Sequence, residues 1–292
     1  MSAPVLDRDR SARLEELATG ARLSLVGRRP GLGTYLQRLW GRRSFLAAMA
    51  AGRLRAKNAS DRLGVLWLAL TPLLAGAAYY LVFGVVLDTR DGVENFVGFL
   101  IIGIFFFQYT ARGILEGSKS VTSNRKLIQA LAFPRAVLPI STVLRQAWEF
   151  LPALGIMLAI IAFTDPVLSW RWALLPVLVL MVTVFNLGAV LLTARLTAHV
   201  SDVTNVLPFL TRIWLYTSGV FFSFEDRFDD PTALALVQAN PMHVYLTLVR
   251  DSLLYGETSP PSYWLTGAAW ALVLLVVGFV VFWAAEEKYT RD

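Results

Sequence analysis

The 292-residue chain has no cysteine and only two histidines, His199 and His243. A disulfide framework, a thiolate metal site and a thiol nucleophile are therefore excluded, and imidazole chemistry nearly so. Charge is also scarce, at 16% of residues against about 25% in soluble domains. No G-x-x-x-x-G-K-[ST] run occurs, and Gly117-Ser118-Lys119 lacks the spacing that cradles a phosphate, so the chain does not hydrolyse ATP by that route. The first 30 residues hold arginines and acids but no apolar run followed by small residues. They do not read as a signal peptide, and the N-terminus is expected to be retained. What is present instead is apolar: 56% of residues, more than a water-soluble fold can hide.

Six apolar stretches carry that excess: Leu63 to Val86, Phe96 to Leu115, Val137 to Phe163, Trp172 to Thr193, Val206 to Phe222 and Tyr263 to Ala285. A helix of about 20 residues crosses the hydrocarbon layer, so each stretch is long enough to span. Lys and Arg set the orientation, because short basic loops remain cytoplasmic. Residues 1–62 hold 13 of the 27 cations and 117–136 hold four, Lys119, Arg125, Lys126 and Arg135. The alternate loops hold Arg90, Arg171, Arg227 and Arg250. Both termini are expected in the cytoplasm of a plasma-membrane protein.

Ahead of the first span, Leu36, Leu39, Trp40, Leu46, Ala50 and Leu54 recur at helical spacing with Arg38, Arg42, Arg53 and Arg55 nearby. This predicts an amphipathic helix on the cytoplasmic membrane face, with packing on protein as the alternative. The stretch from Ser223 to Ser262 is too apolar for a solvated loop. It predicts two short external helices dipping into the outer leaflet, the second capped by Asn240 with Pro241 at its first position and ending before Gly256. The fold class is thus all-α and polytopic, with an N-terminal extension (1–32), an interfacial helix (33–60), a transmembrane domain (61–285) and a cytoplasmic tail (286–292).

No catalytic residues are assigned. Asp229-Asp230 and Glu286-Glu287 lie in polar flanks and read as solvated or headgroup-facing acids. Arg112, Arg145, Glu149 and Arg212 fall within spans, where an ionised group costs about 2.5–3.5 kcal/mol on insertion scales and needs a partner or a polar passage. Arg145 and Glu149, four apart on one helix, can neutralise each other or stand beside a translocation path. The aromatics Trp67, Tyr79, Tyr80, Phe106, Tyr109, Trp214, Tyr216, Phe221 and Phe222 suit either interfacial anchoring or the lining of a channel for sugars, whose C–H faces stack on rings.

Leu63-Gly64 with Trp67 and Pro72, then Asn124-Arg125-Lys126-Leu127-Ile128 followed by Phe133-Pro134-Arg135 and Pro139, then Arg195 with Asp202-Val203, then Asn240-Pro241-Met242 with Arg250, occur in one order and spacing. In these the chain resembles an ABC-2 type permease, the transmembrane subunit of polysaccharide and teichoic-acid ABC exporters, from about Tyr35 to Trp283. The resemblance implies a homodimer of permeases bound to two separate nucleotide-binding subunits that hold ATP and magnesium. It implies that 118–135, with Asn124, Arg125, Lys126, Leu127, Ile128, Phe133, Pro134 and Arg135, is a cytoplasmic coupling helix. An ordinary basic loop is the alternative for that segment. The resemblance also implies a polyprenyl-diphosphate-linked glycan as cargo, of O-antigen, teichoic-acid or cell-wall galactan type. Arg53, Arg55, Lys57 and Arg62 are placed to meet its diphosphate, and arginine suits phosphate oxygens, although a plain positive anchor for the first span accounts for them equally. No metal, resident cofactor or nucleic-acid partner is expected. Rival readings are an exporter of small amphiphiles or lipids, a membrane-embedded glycosyl- or acyltransferase, and an ATP-independent flippase.

Overall fold

In the computed structural model the described residues are 31–59, 66–86, 95–131, 133–164, 169–224 and 231–286. They are all-helical, with no strand among them. Among the described residues two helices precede the membrane region, α1 (Leu32–Gly41) and α2 (Arg43–Ala59). Then come α3 (Leu66–Tyr79), continued by a π-helical turn at Tyr80–Val86, α4 (Phe96–Ser118), the short α5 (Arg125–Ala130) and α6 (Val137–Thr164). The second half holds α7 (Leu175–His199), α8 (Val203–Tyr216), α9 (Pro231–Gln238), α10 (Pro241–Arg250) with a π-helical end at Asp251–Tyr255, and α11 (Pro261–Ala284).

Among the described residues four helical stretches are long and apolar enough to cross a membrane: Phe96–Ser118, Val137–Thr164, Trp170–His199 and Pro261–Ala284. Leu70–Val86 is a shorter apolar helix. The apolar stretch Val206 to Phe222 is not one continuous helix. Its helix starts earlier and stops at Tyr216, and 14 residues rise only about 21 Å, short of the ~30 Å of hydrocarbon. The chain then turns through 217–224, with Gly219 in the left-handed region at φ 67°, where a side chain would be strained.

Helix α4 is the axis of the molecule. It carries no charged residue from Phe96 to Ala111 and is apolar around its whole circumference, the pattern of a helix buried on all sides. Phe99, Leu100, Ile102, Ile104, Phe105, Phe106 and Phe107 are buried against α6, α7, α8 and α10. Helix α7 lies directly on α11. A Cβ on Gly188 would fall 2.4 Å from the Leu274–Leu275 peptide, and one on Gly278 would fall 2.3 Å from the Gly188 carbonyl, so both glycines are required by backbone approach.

A second, smaller core closes the end opposite the 217–224 turn. Tyr35, Leu46, Val121, Ile128, Phe133, Val137, Leu191 and Phe282 come together there from eight segments. This core corrects the picture of one amphipathic helix over 33–60. The chain breaks at Arg42, and Tyr35, Leu46 and Ala50 face protein, while Leu36 and Trp40 remain exposed. Helix α10 is likewise buried by protein: Met242, Val244, Tyr245, Leu246, Leu248 and Val249 are all 1% exposed or less.

Candidate functional site

The segment after α4 is shaped by short polar side chains. Ser123 donates to the Lys119 carbonyl at 2.6 Å and Asn124 to the Ser120 carbonyl at 2.6 Å, holding a tight turn ahead of α5. Helix α5 then points Ile128 into the second core and leaves Leu127 half-buried, with Arg125, Lys126, Gln129 and Leu131 exposed. Phe133 is buried with its ring 5.7 Å from Phe45, Pro134 is buried before α6 begins, and Arg135 is half-buried. Leu131 has left the helix and is extended, away from the side that carries Ile128.

Of the four cations considered for a diphosphate, Arg53 is engaged in the protein. It donates to the Thr142 hydroxyl at 3.1 Å and to the Asn124 side-chain carbonyl at 3.0 Å, joining α2 to α6 and to the turn before α5. Burial, and then the Arg145 guanidinium, lower its pKa from the ordinary arginine value. The side chains of Arg55 and Lys57, and Arg62 altogether, lie outside the described residues.

The Arg145–Glu149 pair forms along α6, and Arg145 also bonds Glu116 from the last turn of α4. Glu116 was missed because its partner is on another helix, beyond the reach of an i, i+4 pattern. Arg112 donates to Gln108 at 2.9 Å, one turn back on α4. Glu149, Arg112, Gln108 and Gln146 line a small cavity of about 40 Å³ between α3, α4 and α6.

The nine aromatics separate by burial. Phe106 is fully buried, edge-on to Phe150; Tyr109 stacks on Phe150 at 4.4 Å and shares a 2.8 Å hydrogen bond with Thr183. Phe221 is fully buried and stacks on Phe83 at 4.4 Å. Trp214 packs on Phe107, Tyr80 on Phe96 and Phe222 on Phe224, while Trp67 is exposed. Tyr79 and Tyr216 flank a groove of about 280 Å³ between α3, α4 and α8, with Gln108, Thr211 and Arg212 as its polar side chains. Arg212 is exposed there.

At the far end, the turn after α8 is held from both ends of α10. The Asn240 side chain accepts the Met242 N–H at 3.0 Å as helix cap and the Trp214 indole N–H at 2.9 Å, and donates to the Thr217 carbonyl at 2.9 Å. Arg250, 4% exposed, donates to the carbonyls of Gly219 at 2.8 Å, Phe99 at 3.1 Å and Val220 at 3.3 Å, and lies 3.3 Å from the Phe99 ring centroid. The Asn240 cap and Pro241 start were readable from the sequence. The duty of Arg250 was not, because nothing local marks a cation whose acceptors lie 30 to 151 residues away. Glu286, read as a flanking acid, is also buried, between Tyr35 and Arg135. Burial pushes its carboxyl above the usual carboxylate range, against the pull of the Arg135 N–H and the Tyr35 hydroxyl.

Long apolar helices packed around a groove into which Gln108, Thr211 and Arg212 bring polar side chains are the architecture of a multi-pass membrane protein. A family model described as ABC-2 type transporter matches residues 45–254, and the chain belongs to that family. It is 26% identical over 254 residues to an O-antigen export system permease protein RfbA of Myxococcus xanthus, covering 87% of this chain and 94% of that relative. A protein of the same name from Klebsiella pneumoniae is 26% identical over 244 residues, covering 82% and 90% respectively.

Proposed function

We propose that this chain is the membrane subunit of an ATP-driven exporter of a lipid-linked polysaccharide in the bacterial plasma membrane, with ATP and magnesium held by a separate nucleotide-binding subunit. One observation supports this above the rest: α5 is seated by its apolar side on the second core and turns Arg125, Lys126 and Gln129 outward. A short rigid element of that kind passes a partner's displacement on to the helices it joins, here α4 and α6.

The groove supports the cargo class. Tyr79 and Tyr216 offer ring faces, Gln108 and Arg212 offer donors, and few strong hydrogen bonds would trap a sugar in passage. The relatives named for O-antigen export point the same way. In this reading two copies face one another across their grooves, each copy crosses the membrane six times with both termini cytoplasmic, and α9 and α10 enter from the outside. The short α8 counts as a crossing because the buried turn completes it; irregular backbone is tolerated at membrane depth where protein satisfies it. Arg55, Lys57 and Arg62 are left to meet the lipid diphosphate, since Arg53 is engaged. Galactan, O-antigen and teichoic acid all fit these features.

Reversing both exposed charges tests the reading. Arg125→Glu with Lys126→Glu should reduce the ATPase recovered with the tagged chain by about tenfold or more, since like charges facing one another at an interface cost several kcal/mol, while leaving membrane insertion intact. Undiminished recovery would remove the docking surface from the proposal. ATPase stimulation by small amphiphiles but not by lipid-linked glycan would replace the cargo.

A further inference from the structure

Glu286, just beyond α11, has no task in the exporter reading, yet it is 5% exposed and held from two sides. Its Oε1 accepts the Arg135 backbone N–H at 2.9 Å, with the Arg135 guanidinium at 3.6 Å. Its Oε2 accepts the Tyr35 hydroxyl at 2.9 Å. That hydroxyl in turn accepts the Ala136 backbone N–H at 3.2 Å. One carboxylate and one phenol therefore take up two successive backbone donors where the chain has left α5 and not yet entered α6, so that neither N–H has a helical partner.

The surroundings close over this node. Tyr35 is 1% exposed with its ring 6.0 Å from Phe279 of α11, and Ala136, Val137 and Phe282 are fully buried. Hydrogen bonds to a carboxylate are short and roughly twice as strong as neutral ones. A charge buried without them is costly, so the ionised carboxylate keeps both donors, and without them it takes up a proton or leaves the site. The apolar contacts around this segment, such as Phe133 on Phe45 at 5.7 Å, are non-directional and have no such requirement. Glu286 is the point at which the segment after α5 cannot slip against α11, and α11 is pressed backbone to backbone on α7 at Gly188 and Gly278.

We propose that Glu286 is a positioning residue of the coupling step: it makes the 118–135 segment, α1 and the cytoplasmic end of α11 move as one piece, so that displacement of the segment by the ATPase reaches the α7–α11 pair. The inference rests on reading 118–135 as the coupling segment. Without the carboxylate, the same displacement is absorbed in the chain between α5 and α6.

The experiment uses the full chain, which has no cysteine of its own, labelled with a nitroxide at the exposed Ala130→Cys before it is combined with its ATPase in sealed proteoliposomes. Glu286→Ala should leave the recovered complex and its ATPase rate within about twofold, yet lower polysaccharide exported per ATP by about tenfold, the scale of a lost buried hydrogen bond to a charged group. Tyr35→Phe should lower it by about threefold, the scale of one neutral hydrogen bond. Both should shorten the rotational correlation time of the label, with Glu286→Gln intermediate because its amide oxygen still accepts the Arg135 N–H. Unchanged export per ATP with an unchanged line shape overturns the proposal. Should Glu286→Ala not fold, Tyr35→Phe decides by the same two readouts. Should the wild-type complex hydrolyse no ATP, the exporter reading fails, and the label still decides whether Glu286 holds the segment.

Discussion

Two ions are buried at opposite ends of α4, and they solve mirror-image problems. Arg250 adds a bond to the Phe99 carbonyl in the first turn of α4 and donates to the Gly219 and Val220 carbonyls that the turn after α8 leaves unmet. Glu286 lies beside the segment that follows the last turn of α4 and accepts from N–H groups, directly and through Tyr35, that the interval between α5 and α6 leaves unmet. Each ion has the sign that the stranded backbone groups require. The difference is in what each restrains. Arg250 completes an irregular stretch inside the apolar mass, where water cannot stand in for a missing donor. Glu286 closes a junction near the surface, where a lost contact loosens the joint and leaves the helices intact.

The largest effect expected from breaking this contrast is at Arg250. Arg250→Leu leaves the carbonyls of Gly219 and Val220 without this donor and should cost about 2 kcal/mol or more, at 1–3 kcal/mol for each buried group left unsatisfied. The folded yield in detergent, and the denaturant midpoint of what is recovered, measure it. Arg250→Lys should recover part of the loss, because a point charge replaces a planar fork that reaches three carbonyls.

A smaller effect is expected at Asn240, which shares the work at the same turn. Asn240→Ala removes the cap of α10 and the acceptor for Trp214 together and should cost about 1–2 kcal/mol. The Trp214 fluorescence maximum should shift, because its indole N–H loses its partner. An unchanged spectrum would mean that Arg250 alone holds the turn.

The smallest effect sharpens the other half of the comparison. Because burial raises the Glu286 carboxyl above its ordinary range, the folded chain holds a proton there to higher pH than the unfolded chain does. The contribution of this group is fully present below the ordinary carboxylate value and is lost as pH rises through the folded-state value. Thermal stability between those limits should therefore decline more steeply with pH in the wild type than in Glu286→Gln. Arg135 and Tyr35, the two groups facing the carboxylate, are unchanged in that variant.

Much of the plan was legible in the sequence. The apolar runs marked where helices form, the Asn240-Pro241 start of α10 stood in its own letters, and Arg145–Glu149 needed only helical periodicity. Val206 to Phe222 misled because its composition is continuous while its backbone is not. Ending the helix at Tyr216 depends on Gly219 being able to turn and on Arg250 and Asn240 being there to receive it. Glu286 misled for a related reason. An acid after the last apolar residue reads as solvated, and only the arrival of Tyr35 from the other end of the chain buries it. The aromatics divided on the same ground, since Phe106 and Tyr216 carry the same apolar signal and differ only in which helix lies over them.

Composition and the lengths of the apolar runs set the solvent this protein lives in and the secondary structure that follows. Long uncharged runs cannot remain in water, and a backbone in hydrocarbon must bond to itself along a helix. Tertiary structure decided which apolar faces meet protein, which helix is allowed to break, and which two ions are buried to complete the backbone. The physical reason is that burial against lipid and burial against protein remove the same apolar area from water, so hydropathy cannot tell them apart. The partners of a stranded N–H or carbonyl come from wherever the fold brings them.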